Sequence, residues 1–184
     1  MECKKTRLRN EYILLRKNIK DKKEKSSIIV RKILELEEFK ESNIIALYKS
    51  IGSEVDTSEL IEYSITLGKT IVLPKVEEDE LKFYKINGIN ERLVKSKFGI
   101  KEPLGEKEKY IDNSYIDLVI VPGISFDLNK NRLGFGKGFY DRFLSKKDFN
   151  SIGISFEEQV VDNIPTQSND IKVKKVITDK RIIL

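Results

Sequence analysis

Arg132-Leu-Gly-Phe-Gly-Lys-Gly-Phe-Tyr-Asp141 is the segment whose residue types and spacing best suit chemistry. Gly134, Gly136 and Gly138 alternate between an expected strand and an expected helix. Glycine admits backbone angles and close approaches that a Cβ forbids. Free N–H groups in such a loop, and at the helix start that follows, can bind phosphate oxygens. Arg132 and Lys137 add positive charge on either side. The run has neither the Gly-Lys-Ser/Thr of a Walker loop nor the Gly-x-Gly-x-x-Gly of a dinucleotide fold. As a bare pattern it therefore also fits a tight connection that needs glycine for geometry alone.

A second set of cations lies near the N-terminus. Leu8, Tyr12, Leu15 and Ile19 fall on one stripe of a helix, and Lys5, Arg9 and Arg16 cluster along one border of it at about 100° per residue. Such a helix can pack on a core while aiming cations into an adjacent cleft. The chain has no histidine and one cysteine, Cys3. That excludes Ser–His and Cys–His nucleophile systems, His-ligated zinc and an internal disulfide. Hard-metal or phosphate chemistry remains.

The elements that must position these residues follow from patterning. The 184 residues, 39% hydrophobic and 35% charged, suit a single domain over 1–184. The net charge of +5 favours anionic partners without choosing among nucleotides, cofactors and nucleic acid. The first residues lack an apolar signal-type stretch, and no segment approaches ~18 consecutive apolar residues. A cytoplasmic protein with no membrane contact is expected. Lys20 to Lys25 reads as a polar break, with Ser26 or Ser27 capping a second helix that ends near Phe39. Asn43–Tyr48 reads as a strand. Asp56 and Glu59 have capping-box spacing for a helix through Leu67, ended by Gly68. Thr70–Pro74, an edge strand Leu81–Ile86, Ile116–Val121, Ser151–Ser155 and Val173–Thr178 are the further strands, with a helix from about Gly138 to Leu144. Buried strands alternating with helices predict an α/β fold, a three-layer α/β/α sandwich on a mainly parallel sheet.

Val-Pro-Gly-Ile-Ser-Phe-Asp127 followed by Arg132–Leu144 resembles the signature of the 5-formyltetrahydrofolate cyclo-ligase family. Further motifs follow in the family's order along nearly the whole chain: Lys5-x-x-Leu8-Arg9, Tyr48, Glu54-Val-Asp-Thr57, Leu73-Pro74-Lys75, Phe98–Pro103, Gly153-x-x-Phe-Glu-x-Gln159, Ile164-Pro165, Asn169-Asp170 and Thr178. Two departures stand out. Lys130 occupies a turn position where the family commonly has glycine, so Asn129 or Asn131 is expected to supply the special backbone angle. Asn169 stands where many members have histidine.

The resemblance implies a ribose-5-phosphate isomerase or CoA-transferase-like architecture. It also implies an enzyme that closes 5-formyltetrahydrofolate to 5,10-methenyltetrahydrofolate while ATP becomes ADP and phosphate. By the same resemblance Lys5, Arg9, Arg132, Leu133, Gly134, Phe135, Gly136, Lys137, Gly138, Phe139 and Tyr140 contact ATP, with Arg132 and Lys137 also serving catalysis. Lys49, Glu54 and Phe135 to Phe139 would contact folate, and Tyr48 is a further candidate. Asp141 and Asp170 would hold Mg²⁺, since hard oxygen ligands suit that ion. A small-molecule folate, polyglutamylated forms included, is the expected partner, with no nucleic acid and a monomeric chain. The rival readings are a small RNA-binding protein, suggested by the basic N-terminal helix, and a sugar-phosphate isomerase or CoA-transferase-like enzyme. For Lys5 and Arg9, a solvated helix face is the bland alternative.

Overall fold

The computed structural model describes residues 2–96 and 99–184. Along the chain the helices are α1 (Glu2–Asn18), α2 (Lys22–Glu35), α3 (Glu37–Glu41), α4 (Ser58–Thr66) and α5 (Phe139–Leu144). The strands are β1 (Ile44–Ala46), β2 (Thr70–Glu77), β3 (Glu80–Ile86), β4 (Leu93–Lys95), β5 (Lys101–Pro103), β6 (Tyr110–Ile111), β7 (Leu118–Val121), β8 (Ser125–Asp127), β9 (Arg132–Leu133), β10 (Asn150–Ile154), β11 (Val160–Val161), β12 (Lys175–Ile177) and β13 (Ile182–Ile183).

Eight of these strands form one sheet, in the order β13-β12-β10-β7-β1-β2-β3-β6. The five inner strands from β12 to β2 run parallel, and antiparallel strands close both edges. Parallel strands are buried on both faces and so read as continuous apolar runs, as Leu118-Val-Ile-Val121 does. Alternate residues then feed two cores. Ile45, Leu73, Leu118, Ile120 and Ile152 pack with α2 and α4 on one face. Ala46, Val72, Val119, Val121 and Val176 pack with Phe143 and Leu144 of α5 on the other. The sheet is thus mainly parallel with helices on both faces. Leu81–Ile86 is not an edge: β6 pairs with β3 on its outer side.

Chain ends of elements differ from the sequence reading. α2 starts at Lys22, with Asp21 before it in a left-handed conformation. Ser26 lies inside the helix and donates its hydroxyl to the Lys22 carbonyl (2.7 Å), so it does not cap. Lys22 instead reaches back and donates to the Lys17 and Ile19 carbonyls at 3.0 and 2.6 Å, closing the end of α1. Thr57 is the N-cap of α4. Asp56 accepts from the Ser58 N–H at 2.9 Å, and Glu59 accepts from the Ser27 hydroxyl and not from the cap.

Phe126 of β8 is wedged between two glycines. A Cβ on Gly123 would lie 2.6 Å from its Cε2, and one on Gly153 would lie 2.7 Å from its Cζ. Gly153→Ala should therefore lower the unfolding free energy by about 1–3 kcal/mol, the usual cost of overpacking. Urea denaturation measures it, with Phe126→Leu expected to restore part of the loss. A wild-type midpoint for Gly153→Ala would show that the ring moves aside freely.

Candidate functional site

Strands β1 and β7 are neighbours, and the chain leaves them in opposite directions across the sheet, from β1 to β2 and from β7 on to β10. Open parallel sheets bind ligands in the crevice beyond the carboxyl ends of strands at such a switch point. A cavity of about 430 Å³ opens there, lined by Tyr48 and Lys49 after β1 and by Pro122 after β7. That volume is typical of small-molecule sites.

One wall is the glycine loop. β8 and β9 form a tight antiparallel pair whose turn is organised by the buried Asp127. Its carboxylate accepts from the N–H groups of Asn129, Asn131 and Ile164, each at 2.9 Å, and from the Asn131 amide at 2.8 Å. Lys130 itself takes the positive φ of 66°, and neither neighbouring asparagine does. The expectation that Asn129 or Asn131 would supply the angle is thereby corrected. Both are occupied in serving Asp127. From β9 the chain runs through Gly134–Gly138 into α5, and Leu133 to Asp141 all border the cavity with Arg132. Gly136 has φ 90°, an angle that demands glycine, and a Cβ there would lie 3.2 Å from the Arg9 guanidinium carbon and push it slightly aside. Phe135 and Lys137 are exposed at the rim.

α1 lies across this loop. Arg9 donates from Nε to the Gly134 carbonyl at 2.9 Å. Lys5 is 5% exposed and its Nζ lies 2.5 Å from Asp170 Oδ2. Both line the cavity, so they do not lie on a solvated helix face. The packing stripe is also divided. Leu8 and Tyr12 pack near Ile124, Leu133 and Ile164, while Leu15 and Ile19 join the core beneath α2 and α4. Ile19 falls one residue beyond the helix.

The two candidate metal ligands converge here. Asp141 Oδ2 pairs with Arg132 Nη2 at 2.9 Å, and its Oδ1 accepts from the Ile171 N–H at 3.2 Å. That bond ties Asp141 to the residue following Asp170. Asp170 Oδ2 also accepts from the Gln167 N–H at 2.7 Å. Each acid is thus neutralised by its own cation. Among the described residues, no three or more acidic, His or Cys side chains gather closely enough to form a metal cluster. The Nε of Arg132 is buried with no hydrogen-bond partner.

Glu54 borders the cavity beside β1, with its side chain 7% exposed. Burial pushes its carboxyl above the ordinary carboxylate range, opposed by the Ile51 N–H and by Arg16. Tyr48 donates to the Val55 carbonyl at 3.2 Å, and Lys49 donates to the Ser58 hydroxyl at 3.2 Å. Tyr140 lies under Arg132, whose guanidinium carbon is 5.4 Å from its ring centroid. Desolvation raises both phenols.

The far wall is largely apolar, with Leu73, Pro74 and Val76 of β2, Leu81 of β3 and Ile100 of the β4–β5 hairpin, and carries Lys101 and Glu102 of β5 at its edge. Sequence reading placed Leu73-Pro74 and the segment from Phe98 in motifs without giving them a role at the site. Phe98 itself lies outside the described residues.

The profile of the 5-formyltetrahydrofolate cyclo-ligase family matches residues 1–179. The chain belongs to that family. It is 33% identical over 171 residues to the probable 5-formyltetrahydrofolate cyclo-ligase of Schizosaccharomyces pombe, covering 84% of each chain. It is 30% identical over 147 residues to the 5-formyltetrahydrofolate cyclo-ligase of Escherichia coli K12, covering 77% of this chain and 80% of that one. Among solved structures it resembles the 5,10-methenyltetrahydrofolate synthetase of Aquifex aeolicus, with a TM-score of 0.83, 33% identity, and coverage of 97% and 91%. The corresponding synthetase of Mycoplasma pneumoniae gives 0.76 at 25% identity, with coverage of 95% and 98%. Motif residues from Lys5 to Asp170 border this cavity, whereas the Gly153–Gln159, Ile164-Pro165 and Thr178 motifs contribute none of its lining.

Proposed function

We propose that this cavity seats ATP on the Arg132–Tyr140 loop with 5-formyltetrahydrofolate toward Glu54, so that the chain closes the folate to 5,10-methenyltetrahydrofolate, the reaction of its family. One observation carries the reading: Lys5, Arg9 and the glycine loop share a single cavity with a buried carboxylate, Glu54.

The chemistry needs little covalent work from the protein. A formyl oxygen is a poor leaving group. Attack by that oxygen on the γ-phosphorus releases ADP and leaves an iminium phosphate at N5. Folate N10 then adds to the carbon, phosphate departs with the oxygen, and the N10 proton goes to solvent. Phosphoryl transfer asks mainly for positioning and charge stabilisation. The loop N–H groups, Lys5, Arg9, Arg132 and Lys137 are placed for the phosphates. Glu54 faces the side where a pterin's amino-pyrimidinone edge can donate to it, and Lys49 and the apolar wall flank the rest of the folate.

Asp141 and Asp170 fit Mg²⁺ by donor chemistry. Both offer hard oxygens at one cavity wall, and Mg²⁺ is commonly held by one or two carboxylates plus substrate phosphates and water, with no larger acidic cluster. Bound there, the ion would neutralise charge developing on the phosphates. Their present partners, Arg132 and Lys5, are the cations this reading assigns to the nucleotide, and with the acids holding a metal both would be available to the phosphates.

Replacing Lys5 and Arg9 together with Ala should raise the KM for ATP by at least about tenfold, since hydrogen bonds to charged groups contribute roughly 1.5–3 kcal/mol each. The KM for folate should change much less. Initial-rate kinetics with each substrate varied measures this, and normal ATP kinetics would remove both cations from the nucleotide site.

The same reading takes residues 1–184 as one domain of the ribose-5-phosphate isomerase or CoA-transferase-like kind, supported by a single large sheet with cores on both faces. It takes the chain as a monomer in the cytoplasm acting on folates, polyglutamylated ones included, and not on nucleic acid. No helix among the described residues is long and apolar enough to cross a membrane.

A further inference from the structure

α1 carries a third cation on the side of Lys5 and Arg9. Arg16 follows Arg9 by seven residues, about two helical turns, and is 6% exposed. Its Nη1 lies 3.8 Å from Glu54 Oε1 and 3.5 Å from the Gly123 carbonyl, and its Nε donates to the Ser53 hydroxyl at 3.2 Å. Glu54 Oε2 in turn accepts from the Ile51 N–H at 3.0 Å. One buried guanidinium therefore joins the loop after β1 to the turn after β7, the two lips of the crevice. Arg16 does not itself border the cavity.

We infer that Arg16 is the positioning residue for folate recognition: it fixes the Glu54 carboxylate in place and keeps it charged toward the pterin's donor edge. The inference rests on reading Glu54 as a folate contact. A pterin presents adjacent N–H donors on that edge. An ionised carboxylate can accept from two of them, whereas a protonated one gives up one acceptor and presents a donor. Burial works against the ionised form at Glu54. The Tyr48 and Tyr140 phenols face Glu54 from β1's end and from α5, and both are held neutral by desolvation. Asp56 is a further acid near Tyr48, and the Arg132 guanidinium lies over the Tyr140 ring. From α1, Arg16 supplies the opposing positive charge in direct range of the carboxylate.

The test compares Arg16→Gln, Arg16→Lys, Glu54→Gln and the Arg16→Gln/Glu54→Gln double variant, reading kcat/KM for 5-formyltetrahydrofolate across pH. Arg16→Gln should raise the folate KM about tenfold or more, as truncating a buried charge pair does, with the ATP KM unchanged. It should also move the acid limb of kcat/KM for folate to higher pH, because burial of Glu54 is then less opposed. Arg16→Lys should recover part of both effects, and it carries the test if the Gln variant does not fold. In the Glu54→Gln background, Arg16→Gln should add little. An acid limb that stays in place in Arg16→Gln, or an acid limb and a folate KM that both stay at wild type in Arg16→Lys where the Gln variant does not fold, would make Arg16 a packing group and overturn the inference. Normal folate kinetics in Glu54→Gln would instead overturn the folate reading of the site, a separate outcome.

Discussion

Asp141→Asn should lower turnover roughly a hundredfold or more, since a metal that stabilises transferring charge supplies several kcal/mol. The substitution keeps size and hydrogen-bonding capacity but removes one negative charge from the proposed Mg²⁺ site. The apparent Mg²⁺ requirement should rise, with partial recovery of rate at high Mg²⁺. Asp170→Asn should act in the same direction, and the double variant should lose less than the sum, since the proposed site puts both acids on one ion. The sequence alone suggests an unchanged thermal midpoint for the metal-free protein. The structure revises that expectation, because Asp141 is ion-paired with the buried Arg132 and accepts from Ile171. Losing a buried pair destabilises, and each kcal/mol lost should lower the midpoint by about 2–4 °C in a chain of this size. Rate against Mg²⁺ concentration therefore separates the two roles. An unaltered Mg²⁺ dependence in Asp141→Asn would assign the residue to its pair with Arg132 alone.

Glu54→Gln should raise the KM for 5-formyltetrahydrofolate by roughly ten- to a hundredfold, from the 1.5–3 kcal/mol of a charge-assisted hydrogen bond. The KM for ATP should stay near wild type. A pH signature accompanies it. Burial raises the Glu54 carboxyl, so ionised Glu54, and folate affinity with it, should be lost as pH falls through that raised value. The limb should therefore lie above the range of an exposed glutamate and should vanish in Glu54→Gln. Steady-state kinetics across the pH range in which the chain stays folded shows it. If folate kinetics were unchanged, Glu54 would serve only to close the turn with the Ile51 N–H.

How much of this was legible in the sequence varies by the range of the interactions involved. Strand positions such as Leu118–Val121 were legible because burial on both faces leaves a continuous apolar run. The loop from Arg132 to Asp141 was legible because its glycines answer to backbone geometry, a local demand. Helix starts were less so. Ser26 is a good cap by residue type, but a lysine folding back onto α1 and a left-handed Asp21 start α2 five residues earlier. Lys130 was misread for a similar reason. Asp127 claims the N–H groups of both flanking asparagines, and the left-handed angle falls on the residue between them.

Site residues divide in the same way. Lys5, Arg9, Glu54, Asp141 and Asp170 were marked by motif, and the fold brings them to one cavity. The apolar wall from Leu73 to Leu81 gave no chemical signal, because its residues differ in no respect from core residues of any buried strand. Arg16 sat on the cationic border of α1, yet nothing in its spacing showed that it would reach Glu54. That contact depends on how α1 crosses the loop after β1, which is set by packing and not by local pattern.

The central claim is that the loop's nucleotide and the folate beside Glu54 react together, and absorbance tests it most directly. The methenyl product carries an amidinium that conjugates N5, the new carbon and N10, so ring closure creates a near-UV band absent from the substrate. With purified chain, 5-formyltetrahydrofolate and Mg-ATP, that band should grow, with one ADP and one phosphate formed for each product molecule. It should fail to grow when ATP or Mg²⁺ is left out. A chain that hydrolyses ATP without the band appearing, or forms the band with no ATP present, would contradict the account.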